Sequence, residues 1–173
     1  MGILTIGHSI RTIDEFLGLV KAHGIETVVD VRTVPRSRHN PQFNRDTLPA
    51  SLKANEIDYV HMAGLGGLRH ARKDSQNMGW RNTSFRGFAD YMQTEEFKTS
   101  LQELIELSKT RRMAIMCAEA VPWRCHRSLI ADALTVRCIE VEHIIGPVRL
   151  QEHRLTPFAR VEGGSITYPA PSE

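Results

Sequence analysis

Five short runs, Ile3–Gly7 (ILTIG), Thr27–Val31 (TVVDV), Asp58–Met62 (DYVHM), Met113–Cys117 (MAIMC) and Ile139–Ile145 (IEVEHII), punctuate this chain and set what it can fold into. Each is short, apolar or rich in β-branched residues, and bounded by turn-forming or polar residues, which is the pattern of a buried strand. Between them the apolar spacing changes to three and four, the spacing of a helix packed on one face. Strands that alternate with helices predict an α/β domain with a mostly parallel sheet of about five strands flanked by helices. Right-handed crossovers then bring the carboxyl ends of the strands to one rim, where ligands of open α/β sheets bind. The 173 residues are read as a single domain, with a core over about 3–147 and a polar extension over 148–173.

The helices have local signals. Thr12-Ile13-Asp14-Glu15 is a capping box, followed by Ile13, Phe16, Leu17 and Val20 on one face and by Gly24 as a stop. Further helices are predicted over Leu48–Asn55, Phe85–Met92, Glu95–Lys109 and from about Leu129 to Arg137. The third of these carries a broad apolar face of Phe97, Leu101, Leu104, Ile105 and Leu107. Residues 32–41 contain two prolines and three arginines and cannot be regular. Residues 70–84 form a long loop without periodicity, a length that is usually functional or mobile. Gly163-Gly164 in the tail fits an extra hairpin or a loose end.

A net charge of +2 provides no global basic signature, so affinity for nucleic acid must come from a local patch. No apolar run has the length of a membrane span. The start, MGILTIGHS, has neither a basic leader nor a signal-peptide core, and Gly2 lacks the following Ser or Thr of a myristoylation site. A cytoplasmic protein without membrane contact is expected. Cys117, Cys125 and Cys138 are then thiols, with Cys138 expected as a small buried hydrophobe.

The chemistry concentrates between the fourth strand and the helix after it. The turn AEAVPWRCHRS holds two cysteines if Cys117 is counted with Cys125, together with His126, Glu119, Arg124, Arg127 and Trp123. The other strand ends bring His8 and Ser9, Asp30 and Arg32, and His61 to the same rim. Asp30 and Glu119 are a candidate acid/base pair, with His126 beside them; the structural alternative has each carboxylate bracing an arginine. Two basic loops, Arg32, Arg36, Arg38, His39 and Arg45 in one and Arg69, Arg72 and Lys73 in the other, have guanidinium forks suited to phosphate. The candidate phosphate or substrate contacts are His8, Ser9, Arg32, Arg36, Arg38, Arg69, Cys125 and Arg127, with Trp80, Tyr91 and Trp123 as stacking surfaces. The turn Gly64–Arg69 (GLGGLR) lacks the Gly-Lys-Ser/Thr of a P-loop and reads first as a tight turn. Cys117, Cys125, His126, His8 and His61 are residue types that bind zinc, but the spacing matches no known finger or ribbon, and no metal or cofactor is expected.

TIGHS at 5–9, VVDVRTVPRSR at 28–38, LGGLR at 65–69, MCAEAVPWRCHRSLIA at 116–131 and HI at 143–144 together resemble the family catalogued as domain of unknown function 488. The resemblance runs from about Thr5 to Ile145. It implies one α/β domain whose segments share a site, and it carries no established reaction. The Val-Val-Asp-Val-Arg strand with a later strand-Cys-loop-Arg-Ser-helix also looks like the rhodanese and cysteine-phosphatase layout, which would make Cys117 a nucleophile. The loop here is longer than in those families, has no glycine and contains Pro122, so a compact cradle of amides over that sulfur is not expected. The expected function is hydrolysis of a phosphate-bearing substrate, a nucleotide or nucleic acid, possible at a glycosidic bond through two carboxylates. Non-catalytic nucleic-acid binding and thiol chemistry at Cys117 are the alternatives.

Overall fold

A computed structural model describes residues 2–171. The core element is a six-stranded sheet in the order β3-β2-β4-β1-β5-β6. Its strands are β1 (Ile3–Gly7), β2 (Thr27–Asp30), β3 (Asp58–His61), β4 (Met113–Cys117), β5 (Val141–Gly146) and β6 (Arg149–Glu152). β1 to β5 are parallel, and β6 runs antiparallel on β5 at the edge. The mostly parallel α/β architecture expected from the alternation is the one found. The added strand comes from the polar segment after Pro147, too short for a helical crossover and therefore able to return only as a hairpin.

Two helices, α1 (Ile13–Ala22) and α2 (Leu48–Lys53), cover one face. Phe16, Val20, Leu48 and Leu52 are fully buried there against Leu4, Ile6, Val28 and Met116. The opposite face carries α3 (Thr83–Tyr91), α4 (Glu95–Ser108) and α5 (Arg127–Val136), whose Phe88, Leu104, Leu129 and Leu134 pack on Ile3, Val29, Ile115 and Cys117. Strand alternation makes this division: Met113, Ile115 and Cys117 belong to one cluster, and Ala114 and Met116 to the other. Each fully buried large aliphatic or aromatic side chain contributes roughly 1.5–3 kcal/mol.

The capping box at Thr12 forms as expected: its hydroxyl accepts from the Glu15 amide and the Thr12 amide donates to the Glu15 carboxylate, both at 3.1 Å. The long segment 70–84 is pinned to its surroundings. Asp90 accepts from the Arg72 amide, Ser75 and Asn77, and the fully buried Asn77 accepts from the Tyr168 amide at 2.9 Å. The tail forms a hairpin, β7 (Arg160–Glu162) with β8 (Ser165–Thr167), and it reaches into the core through Ile166 and Tyr168. The core therefore extends past the expected boundary near residue 147. Cys138 departs from expectation: it is exposed, in a left-handed turn (φ 64°) just past the end of α5. Among the described residues no helix is long and apolar enough to cross a membrane.

Candidate functional site

The strand order places the site. β1 and β4 are neighbours, but the helix following β1 lies on one face of the sheet and the helix following β4 on the other. Connections that diverge in this way leave a crevice at the carboxyl ends of the two strands. A cleft of about 400 Å³ opens there, lined by His8 after β1, Arg32 and Arg36 after β2, and Cys117, Glu119, Arg124, Cys125 and His126 after β4. Val34, Leu68 and Phe85 give it an apolar wall. The size suits a small organic ligand.

Behind the cleft stands an Asp30–Arg32 pair. Asp30 is fully buried, and its Oδ1 accepts from the Arg32 amide (3.1 Å) and Nε (2.9 Å), while its Oδ2 accepts from Arg32 Nη2 (2.7 Å) and the Tyr59 hydroxyl (2.5 Å). Arg32 Nη2 also donates to the Phe43 carbonyl at 2.6 Å. Four donors occupy this carboxylate and it does not line the cleft. The geometry thus gives Asp30 the bracing role, and the acid/base pairing of Asp30 with Glu119 is not assembled. Arg32 retains one edge toward the cleft, where its Nη1 is 3.4 Å from His8 Nε2.

His8 donates from Nδ1 to the Ser9 carbonyl (2.8 Å) and stacks on Phe43 at 4.4 Å, which leaves Nε2 as an acceptor facing Arg32. His126 donates from Nε2 to the Val31 carbonyl at 2.8 Å, so its Nδ1 faces the Cys125 sulfur at 3.5 Å as an acceptor. The GLGGLR turn packs on this ring: a Cβ on Gly67 would sit 2.6 Å from His126 Nδ1. The turn is therefore closely packed, and its Gly67 and Leu68 line the cleft. Gly7 has a parallel duty, since a side chain there would run into the Glu119 carbonyl. Gly7 thereby lets the Glu119 segment lie directly over the end of β1.

That segment is held from beneath by Arg127. Its guanidinium is fully buried, with Nη2 donating to the carbonyls of Glu119 (3.0 Å) and Ala120 (2.9 Å) and Nη1 to Thr5 Oγ1 (2.9 Å). Thr5 is the polar residue in an otherwise apolar strand because it continues this chain. Its hydroxyl meets His143 Nδ1 at 2.6 Å, His143 Nε2 meets His153 Nδ1 at 2.9 Å, and His153 Nε2 meets the buried Asp132 Oδ1 at 2.8 Å. With every group donating once, the chain runs in one direction from the Arg127 cation to the Asp132 carboxylate. The Glu119 and Ala120 carbonyls of the loop thus point at a guanidinium.

Three of these histidines are held neutral. Burial lowers the pKa of His8 and of His126 to about 4, and of His143 to about 3. The ordinary value near 6.5 applies to the unfolded chain, so between about 4 and 6.5 the unfolded state binds more protons. Stability from these groups is present above about pH 6.5 and is lost as the pH falls toward about 4. Urea midpoints are expected to fall over that window, and the ring-proton NMR shifts of these histidines should stay flat down to about pH 5. Midpoints that rise or stay level on acidification would contradict the burial of neutral rings.

Of the residues singled out in the sequence, His8, Arg32, Arg36, Cys117, Glu119, Cys125 and His126 line the cleft. Ser9, Arg38, Arg69 and Arg127 do not. Ser9 turns away in a left-handed conformation (φ 51°). Arg69 lies 3.7 Å over the Tyr91 ring and donates to the Ala63 and Gly66 carbonyls, which takes both side chains out of ligand binding. Trp80 packs among Phe85, Phe158 and Tyr168. His61 is used by the Arg32 carbonyl at 2.8 Å, and among the described residues no group of three or more His, Cys, Asp or Glu is gathered to hold a metal. Arg124 belongs to the site and was legible, being the residue before Cys125 in the reactive turn. Phe85 and Ser84, from the start of α3, carry no signal in the sequence.

A family model described as Domain of unknown function DUF488 matches residues 12–134, well over half of the chain. The chain belongs to the DUF488 family. The part matched to DUF488 includes Arg32, Arg36 and the whole turn from Cys117 to Arg127, while His8, at the end of β1, lies before it. Comparison with curated proteins and with solved structures finds no match.

Proposed function

We propose that the cleft binds a phosphate-bearing substrate, a nucleotide or a segment of nucleic acid, and that the protein hydrolyses it with Glu119 as the proton-transferring group. One observation carries the reading. Glu119 is the carboxylate of the cleft lining, it is exposed, and its side chain has no hydrogen-bond or ion-pair partner among the described residues; Arg36 and Arg124 line the same cleft, equally unpartnered. Unpaired guanidinium groups are forks for phosphate oxygens, and Val34, Leu68 and Phe85 offer an apolar wall for a base or sugar. The two-carboxylate scheme of glycoside hydrolysis has no second member here. Attack by water at a phosphoester fits better, because it needs one base and fixed positive charge for the developing oxyanion. The free thiols Cys117, Cys125 and Cys138 support a reducing, cytoplasmic setting for this activity.

Arg36→Ala and Arg124→Ala should each weaken binding of a mononucleotide about tenfold or more, since one charge-assisted contact is worth roughly 1.5–3 kcal/mol. The loss should shrink as salt is raised, with thermal stability little changed. Equal affinity of both variants and the parent at low salt would remove the phosphate reading. Binding of oligonucleotides that persists fully in Glu119→Gln without any turnover in the parent would favour a non-catalytic nucleic-acid-binding protein.

A further inference from the structure

β4 ends on Cys117 and α5 begins at Arg127, and the turn between them folds back so that the Cys117 and Cys125 side chains become neighbours in the lining of one cleft. Both are nearly excluded from solvent, at 2% and 5% exposure, yet both line the cleft. A reagent reaches them only by entering it.

Their surroundings differ in a way that divides the roles. Cys125 accepts the Arg127 amide at 3.5 Å and lies 3.5 Å from the acceptor nitrogen of His126. Cys117 has no such base beside it: its Sγ donates to the Glu119 carbonyl at 3.6 Å, the same carbonyl that accepts from Arg127 Nη2 at 3.0 Å. That buried guanidinium has no carboxylate at ion-pair distance among the described residues, and its Nε has no acceptor. A buried cation without a counter-ion is costly, and a Cys117 thiolate is an anion the chain itself can supply. The titration directions agree. Burial acts to raise Cys117, but the neighbouring Cys125 thiol and the charge of Arg127 bring it below the ordinary cysteine value, while burial and Cys117 push Cys125 up.

We propose that Cys117 and Cys125 form a redox-active dithiol in the cleft, with a low-molecular-weight disulfide as co-substrate, Cys117 as the attacking sulfur and Cys125 as the resolving one. The Cys117 thiolate attacks one sulfur of the disulfide RSSR; that S–S bond breaks, a mixed disulfide forms on Cys117, and the first RS⁻ leaves and is protonated from solvent. Cys125 passes its proton to His126 Nδ1 and attacks the Cys117 sulfur, expelling the second RS⁻, which takes that proton. The protein loses two hydrogens and RSSR becomes two thiols. The new bond closes a loop over residues 118–124, which contains Glu119, so the dithiol state and the cleft share one segment. The exchange stands whether or not the cleft takes phosphate.

The test uses the full chain carrying Cys138→Ser, which leaves these two thiols as the only ones. The protein is incubated with oxidised glutathione at neutral pH, quenched in acid, alkylated and mapped by mass spectrometry, with near-ultraviolet circular dichroism to verify the fold. The expected result is complete conversion to a Cys117–Cys125 disulfide with loss of two hydrogens. Adding Cys125→Ser, or Cys125→Ala if the serine variant does not fold, should instead trap one glutathione on Cys117. Two free thiols in the folded protein after prolonged excess oxidant would overturn the proposal. So would an intact folded Cys125 variant that acquires no adduct on Cys117.

Discussion

Glu119→Gln is expected to lower turnover of a nucleotide or oligonucleotide substrate by about a hundredfold to ten-thousandfold, the range for a positioned general acid or base, while binding and folding persist. The side chain is exposed and makes no hydrogen bond within the described residues, so the amide removes a proton carrier without breaking a structural contact. The backbone of the residue remains in place, because its carbonyl stays on Arg127 Nη2 at 3.0 Å. Asp30→Asn should behave in the opposite way. It removes the charge facing Arg32 in a buried pair held at 2.7 Å, so its main effect should be a loss of stability; breaking such a pair costs about 3–5 kcal/mol. Steady-state kinetics beside urea unfolding separates the two. A Glu119→Gln protein that turns over normally would remove the proton-transfer role.

Arg127→Leu is expected to be the most destabilising single change in the site. The guanidinium is fully buried and serves Thr5 and the carbonyls of Glu119 and Ala120. Leucine leaves these acceptors without their donor, and each buried unsatisfied group costs roughly 1–3 kcal/mol. Arg127→Lys should not restore the parent stability, since an ammonium cannot reproduce a planar fork that spans acceptors on two elements. The chain through Thr5, His143 and His153 to Asp132 would also lose its cationic end. Urea unfolding of both variants checks this, and a lysine variant as stable as the parent would show that charge alone, without the fork, is what the site needs.

These expectations rest on contacts that the sequence exposes unequally. The strands and their rim were legible because short apolar and β-branched runs are local properties: Met113–Cys117 shows the first and Thr27–Val29 the second. Asp30 and Arg32 are separated by one residue, so their mutual bracing was a visible alternative, and the choice needed the distances. Arg127 was legible as a site residue only in part. Nothing local distinguishes an arginine that faces a ligand from one that faces two carbonyls and a threonine 122 positions away in sequence. The same holds for Arg69, whose placement over Tyr91 depends on the packing of α3. His143 and His153 sit on or beside a hairpin that the turn at Gly146-Pro147 hid as a strand ending. Cys138 was misplaced because its small apolar character is outweighed by the left-handed turn at the end of α5.

The most direct measurement is a crystal structure of the protein soaked with a phosphorothioate nucleotide that resists hydrolysis. Density is expected in the cleft between β1 and β4, with the phosphorothioate oxygens on Arg36 and Arg124, the base against Val34, Leu68 or Phe85, and the Glu119 carboxylate facing the phosphoester. A nucleotide bound instead in the hollow of about 550 Å³ beside Trp123 and His153, or a cleft that stays empty at saturating ligand, would contradict it.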